Sequence, residues 1–109
     1  MVKFEDNLKI IELIDAYGSL LTDKQYKIMC NYFFDNLSFS EIGDNYSISR
    51  QAISDSINQS IKSLEMYESK LQVIVRTKET IDSLMRLSDN CNDSKITNEV
   101  NAIIENLRR

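Results

Sequence analysis

Ser49, Arg50, Gln51, Ser54 and Asn58 lie close together at the end of the run SFSEIGDNYSISRQAIS, residues 38 to 54, and just beyond it. Placed at the start of a helix, these side chains suit the reading of a nucleic acid. Arginine pairs with guanine and glutamine or asparagine with adenine in a major groove, while a cap hydroxyl and free backbone amides can hold a phosphate. They are the candidate nucleic-acid or partner-binding residues. The same Ser-Arg-Gln group could also do no more than cap and solvate a helix start.

The elements around them decide between these roles. Ser38 and Glu41 form a Ser-x-x-Glu capping box, which predicts a short helix over 39–46 with Phe39 and Ile42 facing inward. Ser49 is placed to cap the next helix. In a helix-turn-helix the first helix crosses the second closely, so its middle residue must be small and the turn must be flanked by apolar anchors. Gly43 meets the first demand, and Ile42, Tyr46, Ile48 and Ile53 meet the second. Ser47 departs from the pattern: it stands at the turn where glycine is preferred, because the backbone there often takes a positive φ.

Upstream, Leu8, Ile10, Ile11, Leu13, Ile14 and Tyr17 predict a helix over about 5–17 that Gly18 ends in a left-handed conformation. Thr22 and Gln25 form a second capping box. It opens a helix whose stripe, Tyr26, Met29, Cys30, Tyr32, Phe33 and Phe34, is expected to be core, with Asp35 and Asn36 at its end. Downstream the apolar stripe runs through Ile53, Ile57 and Ile61 to Leu64, Tyr67, Leu71 and Ile74, further than a DNA-reading helix requires. From Leu64 it can be written as heptads, with Leu71 and Met85 at a, Tyr67, Ile74 and Ile81 at d, and Lys78 the misfit. Leu64, Tyr67, Leu71, Ile74, Ile81 and Met85 are therefore the expected interface of a homodimer. Two courses stay open: a continuous rod to about residue 88, or a break near the β-branched Val73, Val75 and Thr77. SDNCNDS, 88–94, reads as a linker, and Ile96, Val100, Ile103, Ile104 and Leu107 as one face of a last helix. The expected division is a helix-turn-helix domain over 1–72 and a helical, dimer-forming extension over 73–109.

Composition sets the class. With no proline and two glycines in 109 residues, almost nothing stops helix propagation, and an all-α fold is expected: a helix-turn-helix head, a long helix and a C-terminal helical extension. There is no histidine, and Cys30 and Cys91 lack metal-ligand spacing, so neither a zinc site nor a cofactor is expected. No nucleophile stands beside a base and no glycine loop cradles phosphate, which excludes the usual enzyme constellations. No run approaches a membrane span or a signal segment, so a cytoplasmic protein without membrane insertion is expected. The net charge of −4 argues against nonspecific nucleic-acid binding, which draws its free energy from Lys and Arg releasing counterions. Any DNA affinity must come from a local patch, and Asp55 makes that patch thin.

Residues 21–65, LTDKQYKIMCNYFFDNLSFSEIGDNYSISRQAISDSINQSIKSLE, resemble the YlxM family of bacterial proteins associated with the signal recognition particle. The likeness is carried by Leu21, Thr22 and Gln25 and by Ser49, Arg50, Gln51 and Ala52. More distantly the stretch resembles region four of sigma factors, which reads promoter DNA through a helix-turn-helix. The resemblance implies a small regulatory protein encoded beside the particle's GTPase, with that GTPase or its RNA as partner and no catalytic residue. A sequence-specific DNA-binding transcriptional regulator is the alternative.

Overall fold

The computed structural model describes residues 4–109, with side chains from residue 6 onward. All regular structure among the described residues is helical: α1 (Phe4–Tyr17), a 3-10 turn (Gly18–Leu20), α2 (Asp23–Phe33), α3 (Phe39–Tyr46), α4 (Arg50–Leu71), α5 (Val73–Asp89) and α6 (Ser94–Leu107). The chain divides into two compact units, Met1–Gln72 and Val73–Arg109.

In the first unit α4 is the central element, packed against α1, α2 and α3. Its inward face, Ile53, Ile57, Ser60 and Leu64, repeats every three or four residues and is buried throughout. Ile10, Leu13, Ile14 and Tyr17 meet it from α1, Ile28, Met29 and Phe33 from α2, and Ile42 from α3. Tyr17 is 2% exposed and its hydroxyl donates to Glu68 Oε1 at 2.5 Å, tying α1 to the far end of α4.

Both capping boxes form. Thr22 Oγ1 accepts from the Gln25 amide and Ser38 Oγ from the Glu41 amide, while each N3 side chain accepts from the cap's own N–H. Each box thus satisfies two of the backbone donors a helix start leaves orphaned.

Four details correct or complete the reading of the sequence. Gly18 is not left-handed, since no glycine has a positive φ among the described residues. It is buried at the start of the 3-10 turn, where a Cβ would stand 2.8 Å from the Tyr26 ring, so its small size matters there and its conformational freedom does not. The α2 stripe is narrower than expected: Tyr26 and Phe34 are exposed, and Ile28 takes a place in the core. At 3.6 residues per turn the six apolar positions cover more arc than one packed face. The Tyr26 hydroxyl hydrogen-bonds to Cys30, which holds its pKa above the ordinary tyrosine value, and the charge Cys30 can carry adds to the effect.

The third is the end of the long helix, where the break, one of the two courses left open, is the one that forms. Gln72 adopts φ 55°, ψ 30° and its N–H returns to the Glu68 carbonyl, so α4 stops at Leu71 and α5 begins at once at Val73. There is no continuous rod to residue 88, and the break lies just ahead of the β-branched Val73 and Val75 that lower helix propensity. The fourth concerns Leu64, which is 0% exposed inside the first unit. It is spent on the core and drops out as an interface position. Of the other heptad residues, Tyr67 is half-buried with its ring 6.1 Å from that of Tyr17, Leu71 and Met85 are exposed, and Ile74 and Ile81 are half-buried.

The second unit is a hairpin of α5 and α6 joined by a short loop that holds Cys91. Asp93 caps α6 by accepting from the Lys95 N–H at 2.9 Å. No helix among the described residues is long and apolar enough to cross a membrane.

Candidate functional site

The candidate residues are held by the turn between α3 and α4. Ser47 ends α3 in the left-handed region, φ 56°, ψ 40°. The Ile48 N–H returns to the Gly43 carbonyl at 3.0 Å and the Ser47 N–H to the Asp44 carbonyl at 3.4 Å, the paired bonds of a Schellman ending. The chain therefore folds back across α3, and the backbone of the turn lies against Gly43. A Cβ there would sit 2.7 Å from the Ile48 carbonyl oxygen and 3.5 Å from the Arg50 nitrogen. Only glycine leaves room for this crossing.

Two contacts fix α3 from its other side. Asn31 Nδ2 donates to the Tyr46 hydroxyl at 3.1 Å, and the rings of Tyr32 and Phe39 lie 4.9 Å apart. Ile42, 0% exposed, completes the anchor.

Serine bears the strain foreseen at the turn. A non-glycine residue in the left-handed region costs roughly 1–2 kcal/mol. Ser47→Gly is therefore expected to raise stability by about 0.5–1 kcal/mol, read as a higher urea midpoint at unchanged slope, less than the full strain because glycine also gains freedom in the unfolded chain. An unchanged or lower midpoint would show that serine is unstrained there.

Ser49 caps α4, its Oγ accepting from the Ala52 N–H at 3.0 Å. Arg50 and Gln51 follow in the first turn, both exposed. Ser54 is half-buried one turn on and Asn58 exposed one turn further. The five candidates thus form one outward strip from the cap into the helix. Gln51 is not fully available, because its Nε2 donates to Asp55 Oδ1 at 2.9 Å along the helix. That bond directs the amide toward Asp55.

From Asn58 the strip continues along α4 past the residues chosen from the sequence. Asp55, Asn58, Gln59, Lys62, Ser63 and Met66 line an open trough along α4. Their i, i+3, i+4, i+7 spacing was visible in the sequence, but polar residues at that spacing are the ordinary solvent face of a helix. Charge along the whole motif is lopsided. From Ser38 to Ile61, Arg50 is the one cation against Glu41, Asp44 and Asp55.

The sequence matches a known group. Residues 4–104 fit the model of a family described as "Putative helix-turn-helix protein, YlxM / p13 like", named UPF0122. The chain belongs to the UPF0122 family. It is 39% identical over 105 residues to a UPF0122 protein of Bacillus pumilus, covering 96% of each chain. It is 35% identical over 108 residues to the UPF0122 protein YlxM of Bacillus subtilis, covering 99% of this chain and 98% of the relative. A UPF0122 protein of Malacoplasma penetrans is 45% identical over 85 residues, 78% of this chain and 79% of the relative. The match runs through both units, so the α5–α6 hairpin is part of what UPF0122 relatives share in sequence.

Proposed function

We propose that this UPF0122 member is a non-enzymatic regulatory protein of the signal recognition particle pathway that acts by macromolecular binding. The contact is made through the start of α4, with the targeting GTPase or its RNA as partner. The observation that carries this reading is the exposed Arg50 end of α4, presented by a turn that Gly43 alone permits. The pathway assignment rests on the resemblance of residues 21–65 to the YlxM family.

Electrostatics favour a protein surface over a phosphate backbone. With one cation against three carboxylates between Ser38 and Ile61, the motif has little with which to displace counterions from DNA. A basic surface on a partner protein would instead be attracted by Glu41, Asp44 and Asp55, with Arg50 fixing the register.

In a titration of the targeting GTPase with fluorescently labelled protein, binding is expected at micromolar concentration or tighter. Arg50→Ala should weaken it about tenfold, the loss of one charge-assisted contact of about 1.4 kcal/mol. Absence of binding in that range would sink the pathway assignment.

The second reading is a sequence-specific DNA-binding regulator, favoured by the capped α4 start and the Ser49 to Asn58 strip. It requires Arg50→Ala or Gln51→Ala to weaken one specific site by about 1–3 kcal/mol. A selection from genome fragments at low salt that enriches nothing would remove it.

A further inference from the structure

On the outward face of α4 a single carboxylate stands where an elongated partner must meet it. At 3.6 residues per turn Gln51, Asp55, Asn58 and Lys62 fall within about 60° of arc, opposite the buried Ile53, Ile57, Ser60 and Leu64. All four are exposed, and Asp55, Asn58 and Lys62 also border the trough along the helix. Between the cations Arg50 and Lys62, Asp55 is the one carboxylate, and every other polar side chain there is a neutral amide or hydroxyl. Asp55 Oδ1 accepts from Gln51 Nε2 at 2.9 Å, and among the described residues no cation pairs with it.

We propose that Asp55 is the specificity-determining residue of this face: its carboxylate keeps duplex nucleic acid off α4 and leaves the face to a protein partner that sets a lysine or arginine against it. This rests on the protein-contact reading above. A helix-turn-helix lays the start of its second helix in the major groove, between two rows of phosphates. There the carboxylate meets like charge and has one suitable base partner, the N4 amine of cytosine. It also holds the Gln51 amide, which could otherwise donate to adenine or to a phosphate. Without Asp55 the stretch from Arg50 to Lys62 carries only cations and neutral hydrogen-bonding groups, the composition of a groove reader. Against a basic protein surface the same carboxylate is an asset, because a charge-assisted pair is stronger than a neutral hydrogen bond. One residue thus acts in opposite directions on the two classes of partner.

The test is fluorescence anisotropy of a labelled mixed-sequence DNA duplex titrated with the full chain at about 0.1 M salt, where charges more than about 10 Å apart are screened. Wild type is expected to bind more weakly than about 100 µM. Asp55→Asn, which removes the charge and keeps the shape, should bind at least about fivefold tighter. Asp15→Asn is the control: it makes the same charge change at an exposed position of α1, which packs on the buried face of α4, and should change binding less than about twofold. In the GTPase titration Asp55→Asn should instead weaken binding by about fivefold. An Asp55→Asn chain that gains no more on the duplex than Asp15→Asn, or a wild type that already binds the duplex tightly, overturns the inference. Absence of any GTPase contact sinks the pathway reading, while the duplex comparison still decides the role of Asp55.

Discussion

Gly43→Ala is expected to destabilise the first unit by about 1–3 kcal/mol, a fall of roughly 10 °C in melting temperature for a domain of this size. The sign is what makes the result informative. Gly43 lies inside α3, where alanine is intrinsically better than glycine by about 1 kcal/mol, so propensity alone predicts a gain. Against it stands the Ile48 carbonyl oxygen, 2.7 Å from where the Cβ would be. That oxygen belongs to the backbone and cannot rotate aside as a flexible side chain would. To admit the methyl, the turn must lift off α3, which loosens the Ile48 to Gly43 hydrogen bond and moves Arg50, whose nitrogen is 3.5 Å from the same point. Urea unfolding followed by circular dichroism measures the loss. A variant as stable as wild type would mean that the two helices do not cross as closely as described, and the presentation of Arg50 would lose its physical basis.

Leu64→Ala should cost more, about 2–5 kcal/mol, because it removes a fully buried side chain from the face of α4 and leaves a cavity the surrounding helices cannot fully close. The size of this loss separates two roles. If Leu64 lined an interface between copies, its truncation would shift the unfolding midpoint more at low protein concentration than at high. As a core residue it lowers the midpoint equally at both. Leu71, half exposed at the end of the same helix, is the comparison: Leu71→Ala should stay within about 0.5 kcal/mol of wild type. Equal losses at the two positions would return Leu64 to the outer stripe.

Much of the head was legible because its signals are local. Ser38 with Glu41 and Thr22 with Gln25 act across a single helical turn, so their hydrogen bonds form wherever the rest of the chain goes. The left-handed Ser47 follows from the same kind of constraint, since a chain reversing between two short helices needs one residue there. The strip Ser49, Arg50, Gln51, Ser54 and Asn58 could be named from the cap outward for this reason. What could not be seen was that the Gln51 amide turns to Asp55, because a side chain with several acceptable partners chooses by rotamer.

The later part of the chain was harder to read. An apolar position every three or four residues says that a face is covered and not by what. Leu64 and Leu71 fit one heptad pattern equally well, yet the core of the first unit closes over the first and leaves the second exposed. Ile104 and Ile103 are adjacent and chemically identical, but one faces α5 and the other does not.

By itself, then, the order of residues determined that the chain is helical, where its capped helices begin, and that Gly43 and Ser47 frame a crossed pair. Those are matters of backbone sterics and hydrogen bonds within a turn or two. Tertiary structure decided that Gln72 ends α4 with a left-handed residue, that Gly18 is needed for its size, and which apolar residues are consumed by each unit's own core. Burial depends on the helices that arrive from elsewhere, and no periodicity within one helix records them.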